Sequence, residues 1–157
     1  MSVSLTIDAI KEADVEKVVA LWQRCGLTRP WNDPHADIAL ARRRENSTVL
    51  VGREAGGIVA TVMVGHDGHR GWVYYVAVDP DSQKRGYGRV VMAAAEDWLR
   101  AAGISKLQLL VRRENAQANA FRAGPGCLDS APLDLSGFLP GYAERGALRF
   151  CRCVGRA

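Results

Sequence analysis

The amino-acid sequence predicts an α+β fold (mixed α/β), in which a mixed, mostly antiparallel sheet is flanked by helices. Three strand-like runs follow one another between residues 47 and 79, and segments with a helical apolar stripe lie before and after them. A further strand-like run follows the last long helix. This order, β-α-α-β-β-β-α-β-α, is typical of a single mixed domain, here residues 1–157, a length sufficient to bury one core.

The N-terminal third predicts one strand and two helices. Residues 4–10 alternate between polar and apolar side chains, as a short strand does. Asp14 is a suitable N-cap for a helix that Gly26 ends, and Asp33 followed by Pro34 begins a second helix.

The middle of the chain predicts three strands, a long helix, a fourth strand and the start of another helix. The three strands, separated by short turn-forming segments, cover residues 47–54, 57–66 and 71–79. The long helix begins at Tyr87 and is closed by Gly103, residues 106–113 form the fourth strand, and Asn115 is the N-cap of the last helix.

Composition and charge exclude several classes of protein. Hydrophobic content of 48% and charged content of 24% are ordinary for a globular domain, and no apolar run reaches the ~18 residues of a membrane span. We therefore expect a cytoplasmic protein with no membrane partner. The net charge of +4 is too small and too scattered to indicate nucleic acid. The four cysteines lack zinc-site spacing, so no metal site is predicted.

The stretch "QKRGYGR", residues 83–89, opens the long helix in an unusual way. Helix starts favour acidic residues, but here two glycines, Gly86 and Gly88, stand among Lys84, Arg85 and Arg89. Glycines let successive backbone N–H groups turn toward one concavity, and the helix N-terminus adds partial positive charge. The pattern predicts a site for an anion, with a pyrophosphate as the natural guest.

Two common phosphate-binding motifs do not fit this stretch, because the P-loop residues are absent and the third glycine of a dinucleotide fingerprint is replaced by Val91. What fits is Gln83-x-x-Gly86-x-Gly88 after a strand. On these residues the chain resembles the GCN5-related N-acetyltransferase (GNAT) family from Ser4 to about Phe121. The stretches "LWQRCGLTRPWNDP", "GHDGHRGWVYYVAV" and "VRRENAQANAF" are similar to a bacterial subgroup of uncharacterised acetyltransferases close to the ribosomal-protein alanine acetyltransferases.

The resemblance implies acetyl-CoA as the cofactor. Loop amides would hold the CoA pyrophosphate, and the strand from Tyr75 to Val78 would pair with the pantetheine arm, splayed from the next strand at a bulge so that the thioester lies in a V. The implied cofactor-binding residues are Val76, Ala77, Val78, Gln83, Lys84, Arg85, Gly86, Tyr87, Gly88, Arg89 and Asn115. The Tyr87 side chain is expected to lie over the loop.

The catalytic candidates are His66, Tyr74 and Tyr75. A histidine in the hairpin loop could accept a proton near neutral pH, although polar residues in such a loop also serve simply to satisfy a tight turn. The two tyrosines are expected to face opposite sides of their strand, one packed in the core and the other lining the acceptor cleft. No cysteine is expected near the cleft as a nucleophile, so the amine would attack the thioester directly.

Arg29, Trp31, Asn32 and Asp33 are the candidate acceptor-binding residues, because the family's corresponding loop covers the acceptor side. Asp33 serves equally as an N-cap, and Arg29 and Trp31 as surface packing. The acceptor would be a small-molecule amine or a protein N-terminus, and the protein a monomer or homodimer. The alternative function is an acyl-CoA-binding or regulatory module with little turnover.

After Phe121 the sequence departs from the family pattern. Arg122 stands where a tyrosine that protonates the thiolate is usual, and residues 122–157 hold 9 of the chain's 22 glycines and prolines. The last segment predicts one weak strand, Ala147–Val154, and Tyr142 is its only tyrosine. Two explanations remain open: a divergent C-terminus, or a reading-frame change that replaced the family's last elements. Resequencing through codon 122 distinguishes them.

Overall fold

The computed structural model describes residues 5–112, 127–129 and 148–154. These residues form three α-helices and seven strands. The helices are α1 (Val15–Arg24), α2 (Pro34–Arg42) and α3 (Tyr87–Ala101). The strands are β1 (Thr6–Ala9), β2 (Ser47–Glu54), β3 (Gly57–His66), β4 (Gly71–Val78), β5 (Lys106–Arg112), β6 (Cys127–Asp129) and β7 (Leu148–Val154).

All seven strands belong to one mixed sheet, in the order β1-β2-β3-β4-β5-β7-β6. Only β4 and β5 run parallel, and every other neighbouring pair is antiparallel. α3 supplies the crossover connection that a parallel pair requires. The predicted α+β class and the mostly antiparallel sheet are confirmed.

The sheet carries an apolar layer on each face. α3 packs on one face through Val91, Ala95 and Leu99, against residues of β2, β3 and β4 such as Val62 and Val73. α1 and α2 cover the other face, where a second cluster includes Val18, Trp22, Ile38, Val51 and Met63. The site described below lies where β4 leaves β5 between these layers.

The elements agree with the sequence predictions except in detail. Asp33 caps α2 as expected, accepting a hydrogen bond from the His35 amide at 2.9 Å. The Asp14 side chain makes no cap hydrogen bond to α1 and instead accepts from the Lys11 amide and from Arg53. The weak C-terminal strand is present as β7, whereas β6 was not predicted because three residues carry no usable periodicity.

Several predicted residues lie outside the described ranges. Asn115 and the helix it was expected to cap are among them, as are Phe121, Arg122 and Tyr142. Within the described ranges, no helix is long and apolar enough to cross a membrane.

Candidate active site

β4 and β5 pair for only three residues and then separate. The three pairs are Gly71 with Leu107, Trp72 with Gln108, and Val73 with Leu109. In the described part of the chain no further β4–β5 pair follows: β4 continues to Val78 on β3 alone, and β5 continues to Arg112 on β7. The sheet therefore opens beyond Val73, which is the splay that the family resemblance implied.

A β-bulge marks the point where the two strands separate. Thr61 pairs with Ala77 and Met63 with Tyr74, so Tyr75 and Val76 both stand opposite the single residue Val62. Tyr75 has φ +49°, a left-handed backbone that is rare for a residue with a side chain. Such bulges bend a strand and redirect its backbone groups.

The Tyr75 side chain packs under the α1–α2 layer. Its ring stacks on Trp22 with centroids 3.8 Å apart and an interplanar angle of 7°. Its hydroxyl donates to the Asp37 carboxylate at 2.6 Å and also hydrogen-bonds the Asn32 side chain. Burial and the Asp37 carboxylate together raise the pKa of Tyr75 to about 12. A phenol held in this way remains protonated at neutral pH and is poorly matched to general acid catalysis.

Tyr74 is 47% exposed and differs from Tyr75 in its surroundings. It pairs with Met63, which belongs to the α1–α2 cluster, and side chains of directly paired residues share one face. The expectation that the two tyrosines face opposite sides is therefore wrong, because the extra residue of the bulge interrupts the alternation. One tyrosine packs and the other is accessible, as expected.

The loop after β4 turns through a 3₁₀ helix, Pro80–Ser82, into α3. Asp79 caps this turn by accepting from the Asp81 amide at 3.0 Å, and it also pairs with Arg24 of α1. Lys84 (φ +63°) and Gly86 (φ +83°) both adopt left-handed backbone, so the chain folds back on itself just before the helix. The loop is thus tied to both the sheet and α1.

The start of α3 carries no capping side chain and no acidic residue in its first turn. Helix starts leave backbone N–H groups without intrahelical partners, and the dipole favours an anion beside them. A Cβ built on Gly86 would meet nothing within 4 Å, so a side chain there would project into open space at the helix start. The uncapped start of α3 and the open space beside Gly86 together fit a phosphate group.

The carboxylate of Glu54 in β2 binds the loop that precedes α3. Glu54 accepts two hydrogen bonds from the Arg85 guanidinium, one at 2.8 Å, and a third from the Tyr87 hydroxyl at 2.5 Å. These contacts with Arg85 and Tyr87 lower the pKa of Glu54, so it stays ionised. The Tyr87 ring is buried in the core, and its expected position over the loop is wrong, because the hydroxyl finds its partner beneath. Only the backbone of Tyr87 can face a ligand.

The candidate acceptor-binding residues form the connection between α1 and α2. Arg29 donates to the carbonyls of Gly26 and Thr28 at 2.7 and 2.8 Å, which stabilises the loop itself. Trp31 is 53% exposed. Asn32 contacts the Tyr75 hydroxyl, and Asp33 caps α2. The connection therefore lies beside the bulge, as a cover for the acceptor side would.

His66 lies away from the bulge and from the start of α3. It pairs with Gly71 at the opposite end of β4, roughly 20 Å of strand from Val78. Its Nδ1 accepts from the Gly68 amide at 3.1 Å, and its ring lies against Trp98. These contacts support the alternative that the loop histidine satisfies a tight turn.

A cysteine contacts the end of β4, which no local pattern in the sequence indicates. The Cys25 thiol, at the end of α1, donates to the Val78 carbonyl at 3.3 Å. A cysteine does lie near the cleft, since α1 crosses the end of β4, but the expectation concerned a cysteine that acts as a nucleophile. Burial, with Asp79 nearby, raises the pKa of this thiol, which keeps it protonated and unsuited to act as a nucleophile.

Comparison with solved structures defines the class to which this arrangement belongs. The ribosomal-protein-S18-alanine N-acetyltransferase of Escherichia coli superposes with a TM-score of 0.75 at 21% identity, covering 98% of this chain and 96% of that one. A putative acetyltransferase of Salmonella typhimurium, solved with its cofactor acetyl-CoA, gives 0.74 at 22% identity over 99% and 97% of the two chains. The fold is that of the N-acetyltransferases.

Sequence comparison identifies the family. The model of the acetyltransferase (GNAT) family matches residues 10–123. An acetyltransferase of Yersinia enterocolitica is 40% identical over 111 residues, which cover 71% of this chain and 79% of that protein. The chain belongs to the GNAT family of acetyltransferases, and the family resemblance stated from the sequence is confirmed.

Proposed function

We propose that the protein is an acetyl-CoA-dependent N-acetyltransferase that acetylates a primary amine by direct attack within a ternary complex. The observation that carries the proposal is the juxtaposition of a splayed β4 with a helix start that has neither a capping side chain nor an acid. Membership in the GNAT family and the acetyl-CoA bound to the Salmonella neighbour support the choice of cofactor.

The backbone of residues 83–89 would hold the pyrophosphate, with Lys84 and Arg89 exposed beside it. Arg85 already pairs with Glu54, so its part would be to shape the loop. Val76, Ala77 and Val78 would present backbone groups to the pantetheine arm and the thioester carbonyl. When bound, acetyl-CoA supplies the acetyl thioester, and a C–N bond forms to the amine as the C–S bond breaks.

The residues of the cleft restrict how protons move. The Tyr75 hydroxyl donates its proton in a hydrogen bond to the Asp37 carboxylate, and the Cys25 thiol donates its proton to the Val78 carbonyl. Direct attack by a neutral amine therefore fits better than a covalent acetyl-enzyme. Tyr74, which is exposed beside the bulge, would then be the tyrosine that meets the reactants.

The acceptor would enter beside the connection of residues 25–33, where Asn32 and Asp33 lie next to Tyr75. We propose a small-molecule amine or a protein N-terminus as the acceptor, and a cytoplasmic monomer or homodimer as the working form. The exposed Trp31 offers an apolar surface on which an acceptor can rest.

Calorimetry with acetyl-CoA, paired with a thiol-release assay, tests the proposal. The amine panel should contain a polyamine, an amino sugar and a peptide with a free N-terminus. We expect binding, and release of the CoA thiol with at least one amine. Binding without release on any amine would favour an acyl-CoA-binding module, and absence of binding would contradict both functions.

A further inference from the structure

Thr61 carries a buried hydroxyl in the middle of β3. The donor and the acceptor of each of its hydrogen bonds can be assigned. It is fully buried, among apolar residues of the α1–α2 cluster. Its oxygen lies 2.9 Å from Trp22 Nε1 and 3.2 Å from the Tyr75 carbonyl oxygen. An indole N–H can only donate and a carbonyl can only accept, so Thr61 accepts from Trp22 and donates to Tyr75.

The hydrogen bond from Thr61 provides a partner for a backbone group that the bulge leaves unpaired. An extra residue in a strand interrupts the ladder and leaves a backbone group without its regular partner. A polar backbone group away from water costs about 1–3 kcal/mol when it has no partner. The Thr61 hydroxyl supplies that partner at Tyr75, the residue with left-handed backbone.

Trp22 holds the same residue from a second side. It donates to Thr61 through Nε1, and its ring stacks on the Tyr75 ring. The Asp37 carboxylate then fixes the Tyr75 hydroxyl. The Tyr75 carbonyl, ring and hydroxyl are thus each held by a different residue, which is how a strained backbone conformation persists.

We propose that Thr61 is a positioning residue for acetyl transfer. With Trp22 it forms a clamp that keeps Tyr75 in left-handed backbone, and it thereby sets the direction of the Val76–Val78 backbone toward the opening between β4 and β5. The catalytic consequence rests on the proposed function, whereas the clamp itself does not.

Packing alone does not account for the hydroxyl. Valine has nearly the same shape as threonine, favours strands equally, and avoids burying a polar atom. A core position that served only packing would gain from valine. The hydroxyl at Thr61 therefore matters through its two hydrogen bonds, and this makes a matched pair of substitutions informative.

The experiment compares Thr61→Val, which keeps the shape, with Thr61→Ser, which keeps the hydroxyl. Thr48→Val in β2 serves as a threonine-to-valine control away from the bulge. We expect Thr61→Val to lower kcat for thiol release at least tenfold and to weaken acetyl-CoA binding to a smaller extent, because the Val76–Val78 backbone would shift while the loop that would hold the pyrophosphate stays intact. Thr61→Ser should retain kcat within threefold of the unmodified protein.

Amide hydrogen exchange provides a readout that does not depend on turnover. In Thr61→Val, a peptide covering residues 74–78 should exchange at least tenfold faster than in the unmodified protein, with β2 unchanged. Trp22→Phe, which removes the donor and keeps an aromatic ring, should change both readouts in the same direction. It also keeps the test available if Thr61→Val does not fold.

Unchanged exchange and unchanged kcat in Thr61→Val would overturn the clamp. Equal losses in Thr61→Val and Thr61→Ser would also overturn it, because keeping the hydroxyl in Thr61→Ser would then preserve nothing. If the unmodified protein binds acetyl-CoA but releases no thiol with any amine, the proposed turnover fails. The exchange measurement then decides on the clamp by itself.

Discussion

Two residues that shape the candidate site, Tyr75 and Lys84, have left-handed backbone although neither is glycine. Among the described residues, three that are not glycine have positive φ: Ala55, Tyr75 and Lys84. Ala55 lies in the β2–β3 turn, where such conformations are common. Tyr75 and Lys84 lie at the bulge and in the loop before α3, and each costs of order 1–3 kcal/mol. Strain of this kind persists where surrounding contacts enforce it, as Trp22 does at Tyr75.

Gly86→Val should weaken acetyl-CoA binding more than tenfold, which corresponds to over ~1.4 kcal/mol. The new side chain would project from a position with no protein atom within 4 Å, into the space where the pyrophosphate is proposed to lie. Calorimetric titration with acetyl-CoA measures the change.

Gly103→Val is the matched control for this substitution. Gly103 follows the other end of α3, has φ +77°, and also has open space around its Cβ position. Both variants should lose comparable stability from the strained backbone, but only Gly86→Val should lose affinity. Equal affinity losses, or none in a folded Gly86→Val protein, would mean that the cofactor loop has been assigned incorrectly.

At the scale of the elements, the regular strands and helices could be predicted from local pattern, whereas the bulge could not. Residues 71–78 form an unbroken apolar and aromatic run, GWVYYVAV, with nothing at Tyr74 and Tyr75 that marks an irregularity. The irregularity is stabilised by Thr61 and Trp22, which are 14 and 53 positions away from Tyr75 along the chain. Contacts at such separations leave no periodic signal.

The distance between contacting residues along the chain also determines which parts of the candidate site could be predicted. The glycine loop was found because its residues are adjacent and their spacing is diagnostic. The support that Glu54 gives to Arg85, 31 positions away, was not found, and neither was the contact of Cys25 with Val78, 53 positions away. Residues that would bind the cofactor are local, and the residues that position them come from other elements.

Gly71→Ala should destabilise the protein by about 1–3 kcal/mol, because α3 packs directly on this glycine. A Cβ at Gly71 would lie 2.3 Å from Leu99 Cδ1, and Leu99 is buried and has little room to move. Chemical denaturation monitored by circular dichroism measures the change in the free energy of unfolding.

Gly57→Ala, at the start of β3, controls for adding a methyl group to a strand glycine. The nearest atom to its Cβ position is 3.6 Å away, so the change should stay within about 0.5 kcal/mol. A Gly71→Ala variant as stable as Gly57→Ala would show that α3 can shift away from β4 at little cost.

At the scale of the whole molecule, the family signal and the composition change at nearly the same point. The family model ends at residue 123, two positions after Phe121, where glycine and proline become frequent. The backbone of β7 nevertheless pairs with β5 along seven residues, as a last strand of the sheet would. Sequencing the gene through codon 122 separates a divergent C-terminus from a reading-frame change.

Stability should decrease in acid, because several carboxylates are held ionised by the fold. The pKa values of Asp14, Glu54 and Asp67 are all lowered, and Asp14 is the buried one. Burial opposes ionisation of Asp14, but hydrogen bonds from Arg53 and the Lys11 amide outweigh it. When the folded pKa lies below the unfolded pKa, the unfolded state binds more protons in that interval. The free energy of unfolding then falls as the pH falls through it.

Asp14→Asn should reveal how much of this acid sensitivity comes from the Asp14–Arg53 pair, whose atoms are 2.7 Å apart. At pH 7 we expect the variant to be less stable by about 1–3 kcal/mol, because Arg53 loses the nearer and buried one of its two carboxylate partners, Asp14 and Asp8. Below about pH 4, the ordinary pKa of aspartate, the unfolded form of the unmodified protein takes up a proton at Asp14 before the folded form does, so the difference should shrink. Asp97→Asn, an exposed partner of Arg100, should change stability by less than about 0.5 kcal/mol at every pH. Urea titrations between pH 3 and pH 7 measure both variants, and a constant difference for Asp14→Asn would contradict its role.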